Sequence, residues 1–382
     1  CDWSSDVCSS DLRERENMMS TKTARVQAYF AVAQMNYGED ISLAQVVAVH
    51  RGAFSAQITQ GSDVKGDGVV AITLATPGNC TDHPLWPPVV GDWVALADAA
   101  QNHGEAAAHA VEIMPRTSYI ERPAASGFGL SQAIAANVDE LVIVEPLQPA
   151  FSIGRVERFV AIAHASAIRA RVVLTKADLV AGQEIQGAIE QCEPLVESVT
   201  ALNTTDTQAV AELKESFTPG DTLVLVGRSG AGKSTLTNAL LGTSLATGKV
   251  RAADGKGRHT TTSRQLLQGE VNIIDTPGIR ALGATPDAEA VDQTFTQIAA
   301  LAEQCRYRDC SHSGEPGCAV GQALTQGDLS PEVLERYQRM RRESERNELN
   351  RDARLARQSQ RTASRDNTRG RRETMRLKGR GN

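Results

Sequence analysis

The stretch Gly227-Arg-Ser-Gly-Ala-Gly-Lys-Ser-Thr235 decides the fold of the centre of the chain. A short run of β-forming residues, Asp221–Val226, precedes it, and a run that suits a helix, Leu236–Leu241, follows it. Glycines let such a turn curl until several backbone N–H groups point at one anion, and the positive end of the helix adds to the attraction. The spacing G-x-x-x-x-G-K-S therefore predicts a phosphate-binding loop, in which Lys233 contacts the β- and γ-phosphates and Ser234 binds Mg²⁺.

Length and composition limit the classes of protein to which the chain can belong. With 382 residues, 41% hydrophobic and 23% charged, it suits two or three soluble globular domains. No apolar run approaches the roughly 20 residues that span a bilayer, so we expect no membrane association. The seven cysteines are scattered except for three near position 310. This is not a disulfide framework, and we expect a cytoplasmic protein.

The two ends of the chain differ in character from its body. Cys1–Leu12 lacks the basic start and apolar centre of a signal peptide, and it matches one reading frame of a common sequencing-library adapter. We expect residues 1–17 to be non-native and the native start to be Met18 or Met19. At the other end, Glu335–Asn382 carries 16 basic and 7 acidic residues, a net charge of +9. Since the net charge of the whole chain is −6, residues 1–334 carry −15. Such a tail either reaches a polyanionic partner or is simply solvated.

The first half of the chain alternates short β-like runs with Gly-, Asp- and Pro-rich turns. The predicted strands are Gln45–His50, Ala56–Ile58, Val69–Leu74, Trp93–Leu96 and His109–Met114. Five short strands in about 70 residues predict a small β-barrel, and an OB-fold is the five-stranded case often used to bind nucleic acid. An SH3-like barrel without a ligand is the alternative. Residues 20–40 show weak patterning and are predicted to be a loose arm.

After a predicted connector at Arg116–Ala136, strands and helices alternate, which predicts a mostly parallel α/β sheet. The strand Arg171–Thr175 leads into Thr175-Lys-Ala-Asp178, a pattern that resembles the N/T-K-x-D base-recognition motif of GTPases. A carboxylate at Asp178 can accept hydrogen bonds from guanine N1–H and from the exocyclic amine, which adenine does not present in this way. A surface loop without function is the alternative. The strand that ends at Thr200-Ala201 stands where such GTPases carry a turn that touches guanine O6.

Two further segments follow the phosphate-binding loop. Lys256–Thr262 is polar and contains glycine, as expected of a switch loop that supplies a threonine to Mg²⁺ and the γ-phosphate. Val271–Gly278 reads as a strand followed by D-x-P-G, where Asp275 would hold Mg²⁺ and the Gly278 N–H would meet the γ-phosphate. Ordinary GTPases carry their base motif after these elements. Here it precedes them, so we expect a circularly permuted sheet, which proteins tolerate where chain ends lie at the surface.

The segment after the switch region has the pattern of a metal site. Cys305, Cys310, His312 and Cys318 follow the spacing C-x4-C-x-H-x5-C. Three thiolates and one imidazole complete a tetrahedral Zn²⁺ shell with no open position, which predicts one structural ion and no metal catalysis. A loop with incidental thiols is the alternative. Arg306, Tyr307 and Arg308 sit on this knuckle and could stack on RNA bases or could simply be exposed.

An OB-like barrel, a permuted GTPase domain and a Cys3His knuckle, in this order, resemble the RsgA (YjeQ/YloQ) family of bacterial GTPases, over roughly residues 42–340. The resemblance implies a protein that binds the 30S ribosomal subunit late in its maturation, contacts 16S rRNA through barrel and zinc domain, and hydrolyses GTP to GDP and phosphate faster when bound there. Thr175 departs from the family's usual Asn, which puts some contacts of the base site in doubt. We expect a monomer.

The predicted organisation is an N-terminal arm at 1–41, an OB-fold at 42–118, a GTPase domain at 119–284, a zinc-knuckle helical domain at 285–345 and a flexible basic tail at 346–382. The residues predicted to bind GTP are Thr175, Lys176, Ala177, Asp178, Thr200, Ala201, Gly227, Arg228, Ser229, Gly230, Ala231, Gly232, Lys233, Ser234, Thr235, Thr260, Thr261, Asp275 and Gly278.

Catalysis is predicted to depend on Lys233 and on an activated water molecule. Ile279 follows Gly278, at the place where Ras-like proteins carry a water-orienting Gln, so we expect a low intrinsic rate. His259 on the switch loop is the nearest substitute, because an imidazole can accept a proton or a hydrogen bond. A surface histidine without a role is the alternative. Two other functions stay open: a GTP-switched rRNA-binding module with incidental turnover, and a P-loop ATPase or kinase.

Overall fold

The structure is a computed structural model that describes residues 24–60, 68–97, 108–123, 131–242, 264–275, 286–349 and 352. The described residues divide into two compact units. The first contains those up to Ile120 and those within Ala133–Leu282. The second contains those within Glu121–Gln132 and those after Gly283. Both sides of the predicted barrel–GTPase boundary at 118/119 thus belong to the same unit, and that boundary stays a prediction.

The first unit contains the five predicted antiparallel strands. They are β1 (Ser42–His50), β2 (Ala53–Gln60), β3 (Val69–Thr73), β4 (Trp93–Ala97) and β5 (His109–Ile113). They pair in the spatial order β3-β2-β1-β4-β5. Inward residues alternate along β2, and Phe54, Ile72 and Leu96 are fully buried in the shared core. The prediction of five strands in this segment is confirmed.

The prediction of a loose arm at residues 20–40 is wrong for its described part. Residues 24–37 form a helix, α1. Its Phe30 and Ala33 are buried in a cluster with Leu43 and Met114 of the barrel. The helix also carries apolar residues on its exposed side, of which Met35 is 85% exposed. Because apolar residues lie on both faces, the sequence of this helix does not show the 3.6-residue hydrophobic period by which a surface helix is predicted.

The segment predicted as a connector, Arg116–Ala136, contains two paired strands, β6 (Tyr119–Pro123) and β7 (Ser131–Ala136). Arg116 donates hydrogen bonds to the buried Asp92 carboxylate at 2.7 Å. Burial raises the pKa of Asp92, and the guanidinium of Arg116 opposes that rise. Gly91 approaches the Ala136 carbonyl so closely that a Cβ there would lie 2.1 Å from its oxygen. The two ends of the segment, at Arg116 and Ala136, therefore pack against the turn at Gly91 and Asp92 that precedes β4. The small residues and glycines of the sequence did not indicate these contacts.

The α/β part of the first unit follows the predicted alternation. Its elements are β8 (Glu140–Pro146), α2 (Ile153–Ala165), β9 (Arg169–Thr175), a 3-10 turn (Ala177–Leu179), α3 (Gly182–Cys192), β10 (Ser198–Leu202), α4 (Thr207–Glu215), β11 (Thr222–Val226), α5 (Lys233–Leu241), β12 (Arg264–Leu267) and β13 (Asn272–Asp275). The strand order is β10-β9-β8-β11-β13-β12, and every neighbouring pair is parallel except β13–β12. The predicted mostly parallel sheet is confirmed.

Strand β1 belongs to both sheets. Its first half, Ser42–Gln45, pairs with β4, and beyond a bulge between Val46 and Ala48 its second half pairs with β12 through Ala48–Gln265 and Val49–Arg264. A bulge lets a strand bend away from one partner toward another. The barrel strands and the α/β strands therefore form one continuous hydrogen-bonded sheet, which no sequence pattern predicted.

A buried ion pair holds the amino end of the α/β sheet. The Arg171 guanidinium donates to the Glu140 carboxylate at 2.9 Å, and both side chains are about 95% buried. It also donates to Ser198 and Ser216 and lies 4.5 Å from the centroid of the Phe217 ring. Both groups of this ion pair are thus out of water and are partners of one another.

Replacing Arg171 with methionine is expected to lower the free energy of unfolding by about 3–5 kcal/mol, because it leaves a buried carboxylate uncompensated. Urea unfolding followed by circular dichroism measures the change. The double variant Arg171→Met with Glu140→Met should recover most of the loss, since two apolar side chains need no partner. Equal instability of the double variant would contradict this explanation.

The second unit is helical, as predicted. It contains α6 (Ala288–Thr294), α7 (Thr296–Ala302), α8 (Ala319–Gln326) and a helix at 331–349, here α9. Phe295 meets Tyr337 edge to face at 5.6 Å, and Ile298 and Met340 are buried. Helix α9 runs four residues past the predicted domain end at 345. No described helix combines the length and the apolar character needed to cross a membrane.

Candidate nucleotide-binding and metal sites

Those of the predicted nucleotide-binding residues that the structure describes lie at one edge of the sheet. Strands β8, β9, β10, β11 and β13 are parallel, so their carboxyl ends lie on the same side. The base motif follows β9, the phosphate-binding loop follows β11, and Asp275 is the last residue of β13. Ligands of open α/β sheets bind at this edge. Motifs that lie far apart in the sequence therefore come together here.

The loop at Gly227–Thr235 has the backbone that phosphate binding requires. Gly227, Gly230 and Gly232 have φ of 139°, 77° and 93°, which side-chain-bearing residues rarely adopt. A Cβ on Gly227 would lie 2.1 Å from the Val144 carbonyl oxygen of β8. Helix α5 begins at Lys233, whose Nζ donates to the carbonyls of Gly227 at 2.7 Å and Arg228 at 2.6 Å. The ammonium thus lies against the loop, where it can meet a phosphate.

The base motif is fixed to the phosphate-binding loop and to the loop after β8. The fully buried Thr175 hydroxyl donates to the Ala231 carbonyl at 2.7 Å. Lys176 has a left-handed φ of 61°, and its Nζ donates to the Gln148 carbonyl at 3.3 Å. Asp178 lies in the 3-10 turn and is exposed. Its carboxylate is therefore available to a base that is held against this loop.

Thr200 and Ala201 lie inside β10 and not after its end. They pair with Val173 and Leu174 of β9, and the strand continues to Leu202. The boundary predicted at Thr200-Ala201 is thus short by one residue, because the apolar Leu202 extends the strand by pairing with Thr175. The turn that follows brings Thr204 next to the phosphate-binding loop, 3.6 Å from where a Cβ of Gly232 would stand. Sequence reasoning missed Thr204 and Gln148, since neither belongs to a motif.

The predicted magnesium ligands are only partly within the described residues. Ser234 in the first turn of α5 and Asp275 at the end of β13 are both exposed. A hydroxyl and a carboxylate are oxygen donors of the kind Mg²⁺ prefers, so the donor set fits the ion. His259, Thr260, Thr261, Gly278 and Ile279 lie outside the described residues, and their roles stay predictions.

The four predicted zinc ligands converge in the second unit. Their ligand atoms all lie within 4.8 Å of one another. The His312 Nδ1 is 3.6 Å from the Cys305 Sγ and 3.5 Å from the Cys318 Sγ, and the two sulfurs are 3.9 Å apart. Zn–S bonds of about 2.3 Å and Zn–N bonds of about 2.0 Å at tetrahedral angles would space these atoms by about 3.5–3.8 Å. The donor set and its spacing fit Zn²⁺.

The surroundings of the knuckle support the ligands. Burial lowers the pKa of His312, which favours the neutral imidazole that binds metals. Gln338 of α9 donates to the backbone carbonyls of Ser311 and His312 at 3.3 Å. The Glu315 carboxylate accepts from the N–H of Ser311 at 2.9 Å and of Ser313 at 2.8 Å, and hydrogen bonding from Ser311 lowers its pKa to about 2. Glu315 therefore closes the loop around His312.

Replacing Glu315 with alanine is expected to lower zinc affinity by about 10–100-fold, because partners that hold a ligand loop carry part of the binding energy. Competition with a chromophoric chelator measures the affinity. Glu332→Ala is the matched control: Glu332 also accepts a hydrogen bond from a serine, Ser330, but it lies in the first turn of α9, outside the knuckle. Equal losses in both variants would contradict a specific role of Glu315.

The family model and the curated relatives that match this chain name the same family. The RsgA GTPase family model matches residues 113–285. "Small ribosomal subunit biogenesis GTPase RsgA" of Streptomyces coelicolor is 39% identical over 316 residues, which cover 81% of this chain and 82% of the relative. "Small ribosomal subunit biogenesis GTPase RsgA 2" of Vibrio vulnificus is 38% identical over 314 residues, 81% of this chain and 83% of the relative.

Solved structures agree on the fold. YloQ, described as a circularly permuted GTPase, matches with a TM-score of 0.57 and 26% identity over 80% of this chain and 95% of its own. YjeQ from Thermotoga maritima matches in fold with a TM-score of 0.57 and 22% identity over 80% of this chain and 98% of its own. The resemblance seen in the motif order is thus confirmed. The chain belongs to the RsgA GTPase family.

Proposed function

We propose that the protein hydrolyses GTP to GDP and phosphate and acts in the biogenesis of the small ribosomal subunit. The proposal rests on one observation: the T-K-A-D loop and the phosphate-binding loop lie at the same edge of the sheet. The hydrogen bond from Thr175 to Ala231 joins the two loops. This arrangement fits one nucleotide with a guanine base and a polyphosphate. The names of the relatives supply the ribosomal context.

The residues around the γ-phosphate determine how hydrolysis would proceed. Lys233 and the loop amides would stabilise the charge that develops during in-line attack of water. Ser234 and Asp275 would hold Mg²⁺, which neutralises phosphate charge when bound. His259 remains the proposed residue for orienting water. His259→Ala should leave GTP binding near wild type and depress subunit-stimulated turnover, and unchanged turnover would exclude His259 from this role.

We further propose that the chain contacts 16S rRNA of the 30S subunit through the barrel and the zinc knuckle, as a cytoplasmic monomer. The strand order β3-β2-β1-β4-β5 supports an OB-fold, which is a five-stranded Greek-key barrel. On the knuckle, the Arg306 guanidinium lies 5.5 Å from the centroid of the Tyr307 ring, and Tyr307 is 44% exposed. A cation beside an exposed ring can stack on unpaired bases.

Single-turnover GTP hydrolysis, with and without purified 30S subunits, tests the proposal. We expect slow hydrolysis by the free protein and a large acceleration by the subunit. Tight GTP-dependent binding to the subunit without acceleration would favour the alternative, a GTP-switched rRNA-binding module. Competition by ATP as strong as competition by GTP would favour an ATPase or kinase.

A further inference from the structure

The peptide group between Ala231 and Gly232 lies in a part of the loop where backbone rotation costs little. Gly230 and Gly232 flank Ala231 with φ of 77° and 93°. Glycine adopts positive and negative φ with similar ease, so a peptide next to it can rotate at low cost. Within the described contacts, the Ala231 carbonyl is held from outside the loop, by the Thr175 hydroxyl at 2.7 Å.

A fixed carbonyl also fixes the amide on the other side of the same peptide. The peptide bond is planar and trans, so its C=O and N–H point in opposite directions. With the Ala231 carbonyl turned toward Thr175, the Gly232 N–H points away from the base motif. Backbone N–H groups of such loops cradle the phosphates beyond the ribose. The hydrogen bond of Thr175 therefore constrains the direction of one of these loop donors.

We propose that Thr175, although it lies in the base-recognition motif, is a positioning residue for the β-phosphate and acts through the Ala231–Gly232 peptide. The proposal rests on the proposed binding of guanine nucleotides. Thr175 and Ala231 are both fully buried, so water cannot replace the lost donor when the hydroxyl is removed. An unsatisfied buried carbonyl is costly, and rotation of the peptide would relieve it at the expense of the Gly232 donor.

The proposal predicts a loss that depends on the phosphate chain. Thr175→Val keeps the shape of the side chain and removes the hydroxyl. It should weaken GDP and GTP binding by about tenfold and leave GMP binding unchanged, because GMP has no β-phosphate. Thr175→Ser should restore GDP affinity. Thr205→Val is the matched control, since the Thr205 hydroxyl bonds only within its own exposed turn, to Asn203 at 2.9 Å.

Isothermal titration with GMP, GDP and GTP measures these affinities, with thermal melting to confirm that each variant is folded. If valine is not accommodated, Thr175→Ala gives the same comparison. Equal losses for GMP and GDP would overturn the proposal, because the hydroxyl would then serve the base site or the fold. Unchanged GDP binding would overturn it as well. A wild-type protein that binds none of the three nucleotides would instead overturn the proposed function.

Discussion

Replacing Lys233 with methionine is expected to reduce subunit-stimulated GTP turnover by about 10²–10³-fold, the effect of losing one preorganised donor to a developing charge. The ammonium lies within 2.7 Å of two carbonyls of the loop, so it is already placed where the phosphates bind. Methionine keeps the length of the side chain and removes its charge. Single-turnover hydrolysis of radiolabelled GTP at saturating subunit concentration measures the change.

Lys214→Met is the control for Lys233→Met. Lys214 forms an exposed ion pair with Glu270 at 2.7 Å, which contributes little to stability. The control should therefore retain wild-type turnover and a wild-type melting temperature. Wild-type turnover of the Lys233 variant would show that the loop does not hold the reacting phosphates.

Replacing Asp178 with asparagine is expected to weaken GTP binding by at least about 100-fold and to create binding of XTP. The carboxylate is proposed to accept two hydrogen bonds from guanine. An amide presents one acceptor and one donor group, so its NH₂ would face the exocyclic amine of the base. Buried polar groups left without partners account for discrimination of this size. Xanthine carries a carbonyl at that position, which the amide NH₂ can bind.

Competition of GTP and XTP against a fluorescent guanine nucleotide measures this exchange of specificity. Asp206→Asn is the matched control, because Asp206 caps α4 by accepting hydrogen bonds from Gln208 and Ala209, and asparagine caps helices equally well. The control should bind GTP as the wild type does. A uniform loss of GTP and XTP binding in the Asp178 variant would place the base elsewhere.

Local motifs were enough to propose the site, because its chemistry is concentrated in short segments. The strand β11 was predicted to within one residue, since Thr222–Val226 is a continuous run of β-forming residues that Gly227 ends. The four candidate zinc ligands were predicted from spacing alone, and the structure brings their ligand atoms within 4.8 Å of one another. In both cases the residues that act together are also near one another in the sequence.

What the sequence did not reveal depends on contacts between distant segments. The partner of Thr175 lies 56 residues away, and no pattern shows that its hydroxyl meets the Ala231 carbonyl. A threonine where the family usually has asparagine suggested a weakened base site, but the hydroxyl joins the motif to the phosphate-binding loop. Helix α1 was missed for a different reason, because its exposed Met35 and Val32 hide the periodicity.

The shared strand β1 has a consequence for how the protein unfolds. Ala48 and Val49 of β1 pair with β12, and Ser42–Gln45 of the same strand pair with β4. Strands β1–β5 therefore cannot unfold without exposing β12 as an edge of the α/β sheet. We expect the barrel and the α/β sheet to lose structure in one cooperative transition, visible as a single calorimetric peak. A fragment that begins after the barrel would carry β12 as an unprotected edge strand, and bare edges of this kind recruit other chains and aggregate.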